Sequence, residues 1–123
     1  MVDLGTEQVT LTAAGRKHKG DRAEREVLQF LRDNLGDHVV RTRLEGANDH
    51  GDFAGLPEMV VQSKNYADVV RAIREGLAGV AEQKQNAGLM WGCVFVRRRG
   101  GRYVVCMDAE DWMSMYREAI LPR

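Results

Sequence analysis

Residues 51–64 read Gly-Asp-Phe-Ala-Gly-Leu-Pro-Glu-Met-Val-Val-Gln-Ser-Lys and carry the strongest local signals in the sequence. The Gly-Leu-Pro-Glu segment at 55–58 has turn chemistry and separates two short apolar segments, which predicts two strands joined by a tight turn. Alternate side chains of a strand share a face, so Gln62 and Lys64 point the same way. Asp52 begins the neighbouring strand. The stretch therefore predicts a carboxylate beside a strand that ends in polar-x-Lys.

This arrangement has two interpretations. A carboxylate, an amide and an amine on adjacent strands are the groups of a divalent-metal site that hydrolyses phosphodiesters. A polar strand end and a Gly-Asp turn are also ordinary features of a solvated hairpin. The rest of the chain has to decide between them.

The charges of the 123-residue chain are clustered, although eighteen Lys and Arg balance eighteen Asp and Glu. Residues 16–43 hold eight basic side chains against five acidic ones, and residues 97–102 hold four arginines and no acid. Such patches are compatible with phosphate binding, and they are also common on solvated faces. The length suits one domain, and 44% hydrophobic residues are enough for an ordinary core.

Cysteine usage and hydropathy predict a cytoplasmic protein with no membrane partner. Cys93 and Cys106 have no metal-ligand spacing and lie in apolar segments, which predicts buried, reduced thiols. We expect no signal peptide ahead of the domain, and no apolar run approaches membrane length.

The order of elements predicts an α/β fold, with helices on the faces of a mixed five-stranded sheet in the order αβββαββα. Residues 1–15 are expected to form a flexible arm and 16–123 a single domain. The predicted elements are a helix over 20–35, a strand over 38–44, the two hairpin strands, a helix over 66–86, strands over 91–96 and 103–107, and a helix from the Asp108 cap to Ile120.

Three details of packing follow from the pattern. Gly76 and Gly79 are costly inside a helix, which predicts close packing there against the sheet or a second subunit. Trp112, Met115 and Ile120 recur at helical spacing and are expected to face inward. In the strand over 38–44, alternation assigns Val40, Thr42 and Leu44 to one face and Arg41 and Arg43 to the other.

Glu24 lies on the same helical line as Leu28 and Leu31, so its carboxylate is expected near the apolar face of the first helix. One interpretation directs it at a metal site on the sheet. The other is a capping box, Asp21-x-x-Glu24, that stabilises the start of the helix.

Three motifs resemble those of one nuclease family. The segment Lys19-Gly20-Asp21-Arg22-Ala23-Glu24-Arg25-Glu26 resembles the Lys-Gly-x-x-x-Glu-Arg-Glu opening of archaeal-type Holliday junction resolvases. Gly51-Asp52-Phe53 resembles their aspartate motif, and Val60-Val61-Gln62-Ser63-Lys64 their Glu-x-Lys strand. The resemblance covers residues 17–107. In composition the chain also resembles versions carried by bacteriophages.

That family belongs to the PD-(D/E)xK nuclease superfamily, so the resemblance implies a restriction-endonuclease-like fold and a Mg²⁺- or Mn²⁺-dependent endonuclease. It also implies a homodimer acting on branched DNA, the four-way junction. The expected catalytic residues are Glu24, Asp52, Gln62 and Lys64.

Hard oxygen ligands suit Mg²⁺. We expect them from Asp52, Gln62 Oε1, the backbone carbonyl of Ser63, and Glu24. Lys64 would orient or deprotonate the attacking water. The expected DNA-binding residues are Lys19, Arg25, Arg41 and Arg43, with surface salt bridges as the alternative for the arginines.

The chain departs from the family at Gln62, where the usual residue is Glu. An amide oxygen offers a metal no negative charge, so weaker metal binding is expected. Three alternatives therefore stay open: a related nuclease acting on flaps, nicks or duplex DNA; a catalytically silent DNA-binding module; and a structural or partner-binding protein with a solvated hairpin.

Overall fold

The computed structural model describes residues 13–42 and 51–121, with side chains from residue 20 onward. This part of the chain forms three helices and two sheets, so the α/β class is confirmed. The elements are α1 (Ala13–Leu35), β1 (Val40–Arg41), β2 (Phe53–Ala54), β3 (Met59–Lys64), α2 (Val69–Ala87), β4 (Trp91–Arg97), β5 (Tyr103–Cys106) and α3 (Ala109–Ile120).

The larger sheet has the order β3-β4-β5. β3 and β4 are parallel, with Met59 opposite Trp91 and Lys64 opposite Val96, and α2 makes the crossover between them. β4 and β5 are antiparallel and joined by a 3₁₀ turn over Arg99–Gly101. The smaller sheet pairs β1 with β2 antiparallel.

Buried side chains lie on both faces of the larger sheet because neighbouring strand residues alternate between them. On one face, Val61 and Phe95 pack with Val27 and Leu31 of α1. On the other face, Val60 and Val94 pack with residues of α2. The sheet is therefore a middle layer between α1 and α2.

Close packing at the two glycines of α2 is confirmed, and the partner is the sheet. A Cβ at Gly76 would lie 2.6 Å from Val94 Cγ1, and one at Gly79 would lie 2.6 Å from Gln62 Nε2. The missing side chains therefore let α2 approach β3 and β4. The Asp68 side chain caps the helix by accepting from Arg71 N–H.

The expected single five-stranded sheet is corrected to two sheets in the described residues. β2 pairs with β1 rather than with β3. The chain between β2 and β3 has positive φ at Gly55 (91°) and at Glu58 (60°). The backbone N–H of Asp52 still donates to Val61 O at 2.9 Å, so the two sheets meet at this point.

Several predicted boundaries were also wrong. α1 begins at Ala13, so residues 13–15 are helical although the predicted arm included them; residues 1–12 lie outside the described part. The first strand is limited to Val40–Arg41, and residues 43–50 lie outside the described part. The buried residue beside this strand is Val39, while Val40 is 44% exposed. Val39 and Arg41 therefore face α1.

The inward packing predicted for the last helix was wrong. α3 has no buried residue: Trp112 and Ile120 are 52% and 61% exposed, and Met115 is half-buried. Polar contacts hold the helix instead, because Lys84 Nζ lies 2.8 Å from Asp111 Oδ2 and Trp91 Nε1 donates to Ser114 Oγ at 2.9 Å.

Cys93 is buried and Cys106 half-buried, and both are free thiols. Burial, with a contribution from Cys106, raises the pKa of Cys93 to about 12. In the described ranges, no helix is both long enough and apolar enough to cross a membrane.

Candidate functional site

Asp52 is held against the end of β3. Its Oδ2 accepts a hydrogen bond from the backbone N–H of Ser63 at 2.8 Å. Its own backbone donates to Val61 O and accepts from Thr42 N–H, each at 2.9 Å. Three contacts thus fix a carboxylate beside the backbone that separates Gln62 from Lys64.

Gln62 is buried on the α2 face of the sheet, with 7% of its surface exposed. Its amide lies where a side chain at position 79 would otherwise stand, since a Cβ on Gly79 would come within 2.6 Å of Nε2. Gln62 Oε1 and Ser63 Oγ are both buried and accept or donate no hydrogen bond among the described residues. A buried amide oxygen without a donor is costly unless a water or a cation satisfies it.

Lys64 is half-buried at the end of β3, on the same face as Gln62. Its Nζ lies 5.5 Å from the ring centroid of Tyr66. The Tyr66 hydroxyl donates to Glu75 at 3.1 Å, and Arg71 Nε donates to the same carboxylate at 2.7 Å. The hydrogen bond from Arg71 is the main cause that lowers the pKa of Glu75, against the opposing effect of burial.

Glu24 forms an ion pair with Arg41 of β1. It projects from α1, which covers the sheet face opposite to Gln62, and its Oε1 accepts from Arg41 Nη2 at 2.9 Å. Asp21 Oδ1 lies 2.8 Å from the same Arg41 Nη2, and Asp21 Oδ2 lies 2.9 Å from Arg25 Nη1. The capping-box interpretation is wrong because α1 begins at Ala13 and both carboxylates lie within the helix.

The expected DNA-binding residues therefore divide into two groups. Arg25 and Arg41 form the salt bridges that were the alternative interpretation. Arg43 lies outside the described residues, and Lys19 lies in α1 with its side chain outside them.

A divalent cation fits part of the expected ligand set. Asp52 supplies a fixed carboxylate, and Gln62 supplies the buried oxygen that accepts no hydrogen bond. The Ser63 backbone carbonyl belongs to the residue that follows Gln62 and whose N–H donates to Asp52. Within residues 20–42 and 51–121, no three or more His, Cys, Asp or Glu side chains form a group that could hold a metal. Mg²⁺ retains several of its waters and needs few protein ligands. One carboxylate with neutral oxygens is therefore better suited to Mg²⁺ than to a metal that requires protein ligands on every side.

The sequence analysis missed a polar network on the α1 face. Glu26 Oε1 accepts from Arg97 Nε at 2.9 Å and from the Tyr103 hydroxyl at 2.6 Å. Burial, followed by the hydrogen bond to Glu26, raises the pKa of Tyr103 above its usual value. The hydrogen bond from Arg97 lowers the pKa of Glu26. The arginine-rich segment at 97–102 was the only sequence signal of this network.

Comparison of the chain with protein-family models, with curated proteins and with solved structures gave no match.

Proposed function

We propose that this protein is a Mg²⁺-dependent DNA endonuclease that cuts four-way junctions near the branch point. The observation that carries the proposal is the 2.8 Å hydrogen bond from Ser63 N–H to Asp52 Oδ2. It fixes an acid next to Gln62, which stands where the family usually has Glu, and next to Lys64, to which the resemblance assigns the attacking water.

In the proposed mechanism, the groups that would hold the cation are Asp52, Gln62 Oε1 and the Ser63 carbonyl. A bound Mg²⁺ would acidify a water and neutralise charge on the phosphate. Lys64 orients the attacking water, since its amine is at the open end of β3 and carries three donors. Tyr66 limits where that amine can go, because the cation–π contact at 5.5 Å favours one side of the ring.

The fold proposed for this function is restriction-endonuclease-like. The parallel β3-α2-β4 unit, the antiparallel β5 and the hydrogen bond from Asp52 N–H to Val61 O support it.

A homodimer is part of the proposal because a four-way junction has approximate two-fold symmetry and two strands to cut. The surface that we assign to it is the outer face of α3. Trp112, Tyr116 and Ile120 follow one another at i, i+4 and i+8 and are 52%, 42% and 61% exposed. Light scattering at micromolar concentration should give twice the monomer mass, and Ile120→Ser should shift the mass toward the monomer. A monomeric wild type would reject the dimer.

The activity is tested with a labelled four-way junction and a linear duplex, each incubated with Mg²⁺ or with EDTA. Paired nicks near the branch that need Mg²⁺ are the expected result. Binding without cuts would support the silent module, and nicks on duplex or flap substrates alone would support the related nuclease. Absence of both binding and cleavage would reject every DNA function proposed here.

Variants then connect the activity to the site. Asp52→Asn and Lys64→Ala should each abolish cleavage and leave junction binding nearly unchanged, because both residues act on metal and water. Arg74→Ala on the exposed side of α2 is the control and should cut normally. Thermal melts of all three variants separate loss of chemistry from loss of fold. Loss of binding in parallel with loss of cleavage would contradict the assignment.

A further inference from the structure

A second surface lies at the tip of the β4–β5 hairpin, which we define as residues 98–102. Among the described residues, its Arg98, Arg99 and Arg102 side chains form no ion pair, and all three residues are exposed. The other arginine of the cluster, Arg97, is bound to Glu26 below the tip. The tip therefore presents three uncompensated positive charges within five residues.

The backbone of the tip is well defined. Arg98 N–H donates to Arg102 O at 2.6 Å, and Gly101 N–H donates to Arg98 O at 3.2 Å. Gly100 and Gly101 have φ values of 80° and 78°, which other residues rarely adopt. The closed turn holds the three arginine backbones together, so they act on a ligand as one cluster.

A cavity of about 370 Å³ opens at the base of the tip, on the α1 face of the sheet. Its volume is within the range of small-molecule pockets, roughly 300–1,000 Å³. Gly101 lies at the rim of the cavity, and Glu26 is its charged lining residue. The walls are aromatic and apolar and consist of Phe30, Phe95, Tyr103 and Val105.

Two groups in this cavity are suited to a nucleobase. Phe30 is 57% exposed although it is a large aromatic residue, so its ring offers an open face for stacking. Glu26 Oε1 accepts two hydrogen bonds shorter than 3 Å, whereas Oε2 has, among the described side chains, a single 3.4 Å contact with Arg97. The second oxygen has capacity to accept an N–H from the edge of a base.

We propose that the hairpin tip and this cavity bind an unpaired DNA strand, with arginines on the phosphates and one base in the cavity. Arginine clusters beside aromatic side chains are the usual combination for single-stranded nucleic acid. An acidic peptide would satisfy the arginines and leave the aromatic walls unused.

The position of this surface connects it to the candidate site without depending on it. Lys64 is opposite Val96 in the parallel register, and neighbouring strands lie about 4.8 Å apart. The end of β3 at Lys64 is therefore level with the end of β4, and the hairpin tip begins two residues beyond Val96. The cavity opens on the α1 face, whereas Gln62 and Lys64 lie on the α2 face, so the binding needs neither Asp52 nor Lys64.

The test measures binding of the full-length protein in EDTA, so that no cutting is required. The probes are a fluorescent oligo(dC), an abasic oligomer of equal charge, and poly-glutamate of equal charge. Oligo(dC) should bind about tenfold more tightly than the abasic oligomer, because stacking of one base is lost. Equal binding of the two oligomers would reject the base site, and equally tight poly-glutamate would reject DNA as the ligand.

Variants separate the two parts of the surface. Each phosphate contact changes the slope of log K against log salt by about 0.7 for single strands. The triple variant Arg98→Ala/Arg99→Ala/Arg102→Ala should therefore lower the slope by about 2, and the control Arg74→Ala should leave it unchanged. An unchanged slope in the triple variant would reject the arginine contacts.

Phe30→Ala should bring oligo(dC) binding down to the level of the abasic oligomer without changing the slope. Since Phe30 is more than half exposed, the fold should survive, and a thermal melt checks this. Retained preference for oligo(dC) in this variant would reject stacking in the cavity. Confirmed binding in a protein that never cuts DNA would overturn the endonuclease and leave this inference intact.

Discussion

Replacing Gln62 by glutamate tests the centre of the proposed site. The change adds one negative charge at nearly constant volume to a side chain that is 7% exposed. Burial without a partner favours the neutral form of a carboxyl and can raise its pKa by several units. A shift of about two units corresponds to about 2.7 kcal/mol of stability.

The sign of the pH dependence follows from linkage. The introduced carboxyl has a folded pKa above its unfolded value of about 4.3. Below that pH it is neutral in both states, so Gln62→Glu should be nearly as stable as wild type. As the pH rises from about 4 to 7 in EDTA, the variant should lose about 2–3 kcal/mol relative to wild type and then level off.

Mg²⁺ should reverse the loss if position 62 contacts the ion. A ligand at one hundred times its Kd stabilises the folded state by about 2.7 kcal/mol, which matches the cost of the buried charge. Urea unfolding followed by tryptophan fluorescence, at pH 4 and pH 8 with Mg²⁺ or EDTA, measures each quantity. The same variant should need less Mg²⁺ for half-maximal cleavage.

Gln83→Glu is the matched control, because Gln83 is also buried, at 4% exposed, and lies on α2. It should lose stability in EDTA and gain little from Mg²⁺. Equal recovery of the two variants would mean that Mg²⁺ acts generally. Absence of recovery at position 62, with superimposable Mg²⁺ curves for cleavage, would show that Gln62 does not touch the ion.

Two further predictions concern stability. Gly92→Ala should destabilise the fold by about 3 kcal/mol, because the added Cβ would stand 2.0 Å from Val80 Cγ1. Gly20→Ala should stabilise α1 by about 0.5–1 kcal/mol, because its Cβ would meet nothing within 4 Å. Urea unfolding of both variants measures these changes, and equal effects would contradict the packing. Glu26→Gln should lower the free energy of unfolding by only about 1 kcal/mol at pH 7, because the Glu26 carboxylate accepts from Arg97 but is 37% exposed. Since the pKa of Glu26 is lowered in the folded state, the stability difference between wild type and variant should shrink as the pH falls below 4.5. A stability difference that stays constant down to pH 3 would refute the role of the charge.

Periodicity in the sequence identified the elements that have strong local signals. The helices that follow β3 and β5, and the three strands of the larger sheet, lie within a few residues of their predicted positions. The glycines of α2 also predicted a close approach correctly, because a helix rarely tolerates Gly without a packing reason. These features depend on neighbours in the chain.

Local patterns failed where the outcome depends on distant partners. Alternation separated Val40 from Arg41 but could not tell which face is buried; in the structure Val39 is buried and Val40 is 44% exposed. Helical spacing placed Trp112 inside, although α3 is held by polar contacts to Lys84 and Trp91 rather than by an apolar face.

By itself, the sequence determined the α/β class, the order of most elements and the proximity of Asp52 to the end of β3, because each depends on short-range periodicity and turn chemistry. The tertiary structure decided the rest. It bound Glu24 to Arg41, buried Gln62 against Gly79 and brought Arg97 to Glu26 across 71 residues of chain. Such pairs form only when α1 and α2 pack on opposite faces of the sheet, and no local pattern records which side chains will then meet.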